Sequence, residues 1–318
     1  MLDTVKRQVT GLTLRPPSAP PGYVLTLALL PSLLAGILLF RQPAVMLLGL
    51  ALLVGGLAQA PALFLKRFAK GSPLLAVFIA VALVGPDTPL LVVAGLAVGA
   101  AALELLRARF LPSLRFHVGL AAYAIVVIAT HGAPSAYLRP GATTPMLEPI
   151  RLWLNFYGGA TMPIDTARLY LGNVAGPVFA TSLLAQLVGG AWLWYARRLS
   201  LPTVFGGLIA ATGVTLCFGW TPGFQLASGP LWFGLALVLG DRLNLPSNRP
   251  LQLLVGLLGG GAALAVRSRG YAIEGSLVAI AGIQLATAVA GSMAGLLASP
   301  APQERLLPPS ARSASSKA

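Results

Sequence analysis

Charge is scarce in this sequence. Only 9% of its 318 residues are Asp, Glu, Lys or Arg, while 56% are hydrophobic. An average soluble domain carries roughly a quarter charged residues. A soluble fold of this length could not hide so much apolar surface, and the mean hydropathy of +0.81 makes lipid the solvent for most of the chain. Cysteine is nearly absent. Cys217 lies alone in an apolar run, which excludes an internal disulfide, a CxxC redox pair and a cysteine-ligated iron–sulfur cluster. The only histidines are His117 and His131. On one helix they would stand about 21 Å apart, too far to share a haem iron. Acids are few as well. Only Glu104 falls inside an apolar segment, near its end and beside Arg107 and Arg109, where a surface ion pair is expected. Asp241 and Glu274 stand at segment ends, where Asp241 is expected to pair with Arg242 or Arg249, and no proton relay is visible among the acids. No Ser/His/Asp set converges in sequence and no metal-ligand cluster is expected.

Of the charges present, 22 are Lys or Arg and 8 are Asp or Glu, for a net charge of +14. In a soluble protein that would suggest nucleic acid. Here the excess is expected in cytoplasmic loops, against anionic headgroups, so the bilayer is the partner and nucleic acid is not. The first 22 residues are basic and Pro-rich, with no short apolar stretch and cleavage site ahead of Tyr23. They read as a retained cytoplasmic segment.

Ten apolar segments follow, at 23–40, 44–65, 73–85, 89–106, 116–130, 174–196, 203–220, 229–240, 251–266 and 276–297. Crossing roughly 30 Å of hydrocarbon takes about 20 helical residues, so 73–85 and 229–240 are short and are expected to be tilted, broken or extended by flanking residues. With the N-terminus in the cytoplasm, 16 Lys and Arg fall inside and 6 outside, which fits ten spans with both termini cytoplasmic. The predicted fold is therefore an all-α membrane bundle of about ten transmembrane helices. A cytoplasmic segment (1–22) precedes helices one to five (23–130). An extracytoplasmic loop (131–173) leads to helices six to ten (174–297) and a disordered cytoplasmic tail (298–318) rich in Pro, Ser and Ala. Glycine doublets and triplets inside spans, such as Gly206-Gly207 and Gly259-Gly260-Gly261, are expected where helices approach closely.

The loop from His131 to Asn173 exceeds forty residues. Loops of that length are uncommon unless functional or disordered, and this one carries Tyr137, Trp153, Phe156, Tyr157 and Tyr170. The stretch Ile150–Tyr157 suggests a short interfacial helix. Two Gly-Ala-Thr triplets occur, ending at Thr143 and Thr161. The loop is thus the default place for a ligand, cofactor or partner.

The second triplet opens a wider resemblance. Gly158-Gly159-Ala160-Thr161-Met162-Pro163-Ile164-Asp165 resembles the S-x-A-T-P-L-D-like stretch of the RnfD/NqrB family, the ten-helix flavoprotein subunits of the Rnf and sodium-pumping quinone oxidoreductase complexes. The similarity continues through Leu171–Gly176, Thr181–Ala185 and Gly189-Gly190, then Asp241 with Pro246-Ser247-Asn248, and Arg267–Gly275. The resemblance implies FMN held through a phosphoester on Thr161, with Gly159, Ala160 and Asp165 around it, and riboflavin as a second flavin in the bundle. It implies electron transfer at the extracytoplasmic face of the bacterial inner membrane, with ion translocation as a coupled process. It also implies further membrane and peripheral subunits as partners and a flavin transferase for maturation. Asn155, Gly158 and Ala180 depart from the family pattern and keep a non-catalytic scaffold open. Ten spans with two short ones keep a secondary transporter open as well.

Overall fold

The computed structural model describes residues 21–65, 71–144, 146–157 and 166–297, and among them it is helical with no strand. Five helices are long and apolar enough to cross a membrane: α1 (Pro21–Phe40), α2 (Gln42–Phe64), α4 (Leu90–Phe110), α12 (Arg249–Ser268) and α13 (Ile273–Leu297). Five shorter apolar helices lie among them: α3 (Pro73–Ala82), α5 (Val118–Ala129), α8 (Leu183–Tyr195), α9 (Leu201–Cys217) and α11 (Gly229–Trp232), the last continuing as a π-helix through Phe233–Leu239. Together they match the ten predicted segments. Between α5 and α8 the loop folds α6 (Pro149–Leu152), a π-turn (Trp153–Tyr157) and α7 (Thr166–Leu171). A further short helix, α10 (Pro222–Leu226), precedes α11. Large apolar side chains point outward along the long helices, Leu38, Phe64 and Leu91 among them, each more than three-quarters exposed. Such a surface is stable only against lipid or another apolar chain.

Prolines mark where the helices begin. Pro73, Pro149, Pro202, Pro222, Pro230 and Pro250 occupy first-turn positions, where the missing N–H costs nothing and the fixed φ favours the helix. Ser182 and Ser200 cap α8 and α9 through their hydroxyls.

The ten apolar helices form two groups of five. The first members, α1 and α8, pack on each other, as do the last, α5 and α13. The third members, α3 and α11, are the short ones, as the segment lengths predicted. They run in opposite senses. The start of α3 lies beside Glu104 and Gln59, which accept from Ser72 N and Leu74 N. The start of α11 lies at the other face, under the loop that carries α6. Each half thus carries a shortened third helix, and the two enter from opposite faces.

One predicted span is corrected. Within 174–196 only Leu183–Tyr195 is an α-helix. Residues ahead of it run as a buried non-helical strap. Val178 N donates to Val84 O at 2.9 Å and Phe179 N to Ala82 O at 3.2 Å. The end of α3 leaves carbonyls without intrahelical partners, and the strap supplies the missing donors, starting from the helix-breaking pair Gly176-Pro177.

The tightest crossing joins α9 and α12. A Cβ on Gly260 would strike the carbonyl of Gly207, one on Gly256 the carbonyl of Thr203, and one on Gly206 the carbonyl of Leu253. Small residues let the backbones touch, which is how helices gain dispersion energy where lipid removes the hydrophobic drive. Buried polar side chains tie this pair and others together. Ser32 Oγ donates to Gln186 Oε1 at 3.1 Å. Ser200 Oγ donates to Gln252 Oε1 at 2.8 Å, and Thr203 Oγ1 to Gln252 O at 3.0 Å.

Candidate functional site

The loop opens onto a small cleft, open in part to solvent, with an internal volume of about 20 Å³. Its walls come from α6 (Glu148, Ile150), α7 (Leu169), the strap (Thr181) and the segment leading into α11 (Phe224, Ser228, Gly229). The mixture is mostly apolar with a few convergent polar groups, as ligand sites commonly are. Gly229 is required where it stands, because a Cβ there would strike the carbonyl of Thr181. Aromatic rings roof the same region. Trp153 meets Trp220 edge-on at 5.1 Å and Phe224 at 6.2 Å.

Charge is buried here in an ordered way. Glu148 is 1% exposed and caps α6, accepting from Ile150 N at 2.6 Å and Arg151 N at 2.9 Å. An acid before a Pro-initiated helix satisfies two orphan donors at the positive helix end. Arg151 then pairs with Glu274 at the start of α13. Arg267, at the end of α12, is wholly buried. It donates from Nε to Ser276 Oγ at 2.8 Å, from Nη1 to Gln225 O at 3.0 Å and Oε1 at 3.2 Å, and from Nη2 to Ser228 Oγ at 3.4 Å. The guanidinium thus holds the segment before α11 and the start of α13 in one register.

Burial, and then the charge of Glu274, push the Glu148 carboxyl up to about 7, against the backbone donors and Arg267. An acid whose folded pKa lies above its unfolded one, here 4.5, favours folding at low pH. That contribution is full below about 4.5 and is lost as pH rises through about 7. We expect the wild-type thermal midpoint to fall between pH 5 and 7.5 and the Glu148→Gln variant to show a flatter profile over that range. Thermal scans at half-unit pH steps check this.

The sequence-predicted residues Gly159, Ala160, Thr161 and Asp165 lie outside the described residues. The segments on either side of them are placed, and α6 and α7 both contribute walls to the cleft. Thr143 is exposed. The expected interfacial helix at Ile150–Tyr157 exists as one α-turn followed by a π-turn.

At the opposite face two expectations change. Glu104 does pair with Arg107, at 2.7 Å, but the pair is buried rather than a surface one, Glu104 being 5% exposed. The reason is that the carboxylate also accepts from Ser72 N at the start of α3. Asp241, expected to meet Arg242 or Arg249, instead takes a two-pronged grip from Arg198, at 3.0 and 2.7 Å. His117 Nε2 stands 3.1 Å from Asp241 Oδ2. Asp241 is 1% exposed. Burial alone would raise its pKa, but His117 and Arg198 hold it down to about 2. No group of three metal-ligating side chains occurs among the described residues.

Sequence reading missed Glu148, Gln225 and Ser228, and marked Arg267 only as part of the family-like stretch Arg267–Gly275. The Glu-Pro pair opening a helix was a readable cap signal. The convergence of Gln225, Ser228 and Ser276 on Arg267 was not readable.

A multi-pass helical bundle of long apolar helices, with a partly structured loop over one end, defines an all-α polytopic membrane protein. The profile of the NQR2, RnfD, RnfE family matches residues 22–289, and the chain belongs to that family, as an RnfD/NqrB-type subunit of a multi-subunit membrane complex. No curated protein matches it.

Proposed function

We propose that the protein is the membrane flavoprotein subunit of an electron-transport complex of the inner membrane, with its loop face extracytoplasmic, both termini cytoplasmic, and FMN carried as a phosphoester on Thr161. The carrying observation is the cleft itself. It lies between α6 and α7, the elements that flank residues 158–165, and its mouth offers a largely apolar surface with polar edges against which a flat ring can rest. Phe224, Ile150 and Leu169 offer apolar walls. The start of α11 at Ser228-Gly229 offers a positive helix end toward carbonyl oxygens. Bound flavin supplies one- and two-electron chemistry. The protein's own share is to hold the ring, to exclude water and to keep Glu148 and Arg267 buried beside it. Partner subunits, a flavin transferase and a bundle-bound riboflavin belong to the same reading, as does coupling to ion movement.

The test is flavin fluorescence of the protein on a denaturing gel after co-expression with a flavin transferase. The wild type is expected to give a fluorescent band, and Thr161→Ala to lose it at equal protein level. A dark wild-type band, with its 158–165 peptide unmodified by mass spectrometry, would overturn the reading. The short α3 and α11, one in each half of the bundle, also favour a secondary transporter. Substrate flux in proteoliposomes from flavin-free protein would mark that function instead.

A further inference from the structure

At the face opposite the loop, two short segments meet in a single antiparallel bridge, Leu199 against Asp241, and Arg242 N donates to Arg198 O at 2.9 Å. Each segment sends one charge inward and one outward. Arg198 and Asp241 turn in and pair with each other. Their chain neighbours Arg197 and Arg242 are exposed. Arg249 is exposed as well, at the start of α12, where Gln252 bonds to Ser200 next to the bridge. Among the described residues this face holds two acids, Glu104 and Asp241, and both are buried and already paired. The outward arginines therefore meet no carboxylate among the described residues.

Two further observations narrow what does meet them. Trp194, at the end of α8, is 61% exposed, and Leu243, next to Arg242, is 42% exposed. Apolar side chains left open beside arginines mark the depth where hydrocarbon gives way to headgroups. Arg197 also stands at φ 57°, in the left-handed region where a side chain is strained and glycine is not. Glycine would suit that backbone better, and a strained position that carries an exposed charge points to something the charge holds. The anion available at headgroup depth is a lipid phosphate. Its oxygens match the planar fork of a guanidinium, which stays charged at every physiological pH. An excess of basic residues attracts such lipids only diffusely, whereas the bridge fixes two arginines at one corner.

We propose that Arg197 and Arg242, on the outward side of the Leu199–Asp241 bridge, form a binding site for the phosphate of an anionic phospholipid, with Arg249 adding charge at its rim. A bound headgroup braces the junction at which Asp241 meets Arg198 after α8 and His117 at the start of α5. The site is independent of flavin, because it lies at the face opposite the cleft.

The test measures thermal midpoints of the full-length protein in nanodiscs of phosphatidylcholine, with and without phosphatidylglycerol. The wild type is expected to gain about 3–5 °C from the anionic lipid and to lose that gain in high salt. Arg197→Gly and Arg242→Gln are each expected to lose most of the gain. In pure phosphatidylcholine, Arg197→Gly is expected to match or exceed the wild type, because glycine relieves the left-handed backbone. Arg197→Lys keeps the charge without the fork and is expected to keep only a minor part of the gain. Arg109 is exposed on the same face at the end of α4, and Arg109→Gln is expected to keep nearly all of it. If Arg197→Gly does not fold, Arg197→Lys and Arg242→Gln carry the same comparison. A midpoint indifferent to phosphatidylglycerol would overturn the proposal. So would equal losses in Arg109→Gln and Arg242→Gln, which would show diffuse attraction to the bilayer and no site. Glycerol phosphate in solution that stabilised the phosphatidylcholine discs to the same extent would assign the pair to a free phosphate ligand and overturn it too.

Discussion

Replacing Asp241 with alanine is expected to destabilise the protein by about 3–5 kcal/mol, the largest loss available from any single polar side chain at the face opposite the loop. Asp241 joins elements far apart in the chain. Its carboxylate receives Arg198, which follows α8, and His117, which caps α5. It also accepts from Leu243 N at 3.3 Å. The backbone repeats the connection. Ser200 N donates to Gly240 O at 2.8 Å and Arg242 N to Arg198 O at 2.9 Å. Removing the acid leaves the positive charge of Arg198 in a mostly buried place without the carboxylate it grips. The penalty is chiefly that of uncompensated charge and not the net worth of the pair. The double variant Asp241→Ala/Arg198→Met is therefore expected to recover part of the loss, and unfolding in detergent followed by tryptophan fluorescence would measure both. A depressed carboxylate stabilises above its unfolded pKa, and the contribution fades only as pH falls from 3.8 toward about 2. The Asp241→Ala penalty should accordingly persist throughout pH 5 to 8, because the carboxylate stays ionised across that range. A penalty that vanished within that range would show that Asp241 is not held as the anion.

How much of this could be read in sequence depends on separation along the chain. The ten apolar helices were legible because each is a local run of apolar residues, and the shortness of 73–85 and 229–240 survived as the short α3 and α11. The Glu104–Arg107 pair was legible because i and i+3 share a helix face. Its burial was not, because that depends on Ser72, thirty-two positions away. Asp241 was recognised as a lone acid at a span end. Choosing Arg198 over the adjacent Arg242 required knowing that α8 and α11 end side by side. The strap ahead of α8 looked like a span because its residues are as apolar as any helix. Composition reports burial, while the hydrogen bonds to Val84 and Ala82 that hold it extended are tertiary. At the site, Thr161 and its neighbours came from resemblance alone. Glu148, Gln225, Ser228, Arg267 and Glu274 at the loop face are spread from position 148 to 274, and only the fold assembles them.

Gly260→Val is expected to cost about 3 kcal/mol, the upper end for overpacking a tight interior, and to lower the yield of folded protein. The obstacle is backbone. The new Cβ would meet the carbonyl oxygen of Gly207, with its carbonyl carbon at 2.6 Å and its Cα at 2.7 Å. No side chain can rotate away from such a contact, so α9 and α12 must separate along their length. That separation would reach both ends of the pair. At one end Gln252 on α12 is bonded to Ser200 and Thr203. At the other, Arg267 in the last turn of α12 reaches Gln225 and Ser228 beside the cleft. A packing change in mid-bundle should thus disturb the loop-face site without touching any residue in it. Two controls on the same helices separate crowding from the mere loss of glycine. A Cβ at Gly261 meets only Ala210 Cβ at 3.6 Å, an ordinary contact, and one at Gly213 meets nothing within 4 Å. Gly261→Ala and Gly213→Ala are therefore expected to be neutral or to stabilise by up to about 1 kcal/mol through helix propensity. If all three substitutions destabilised alike, the cause would be backbone conformation, and close approach of the two helices would not be what fixes the crossing.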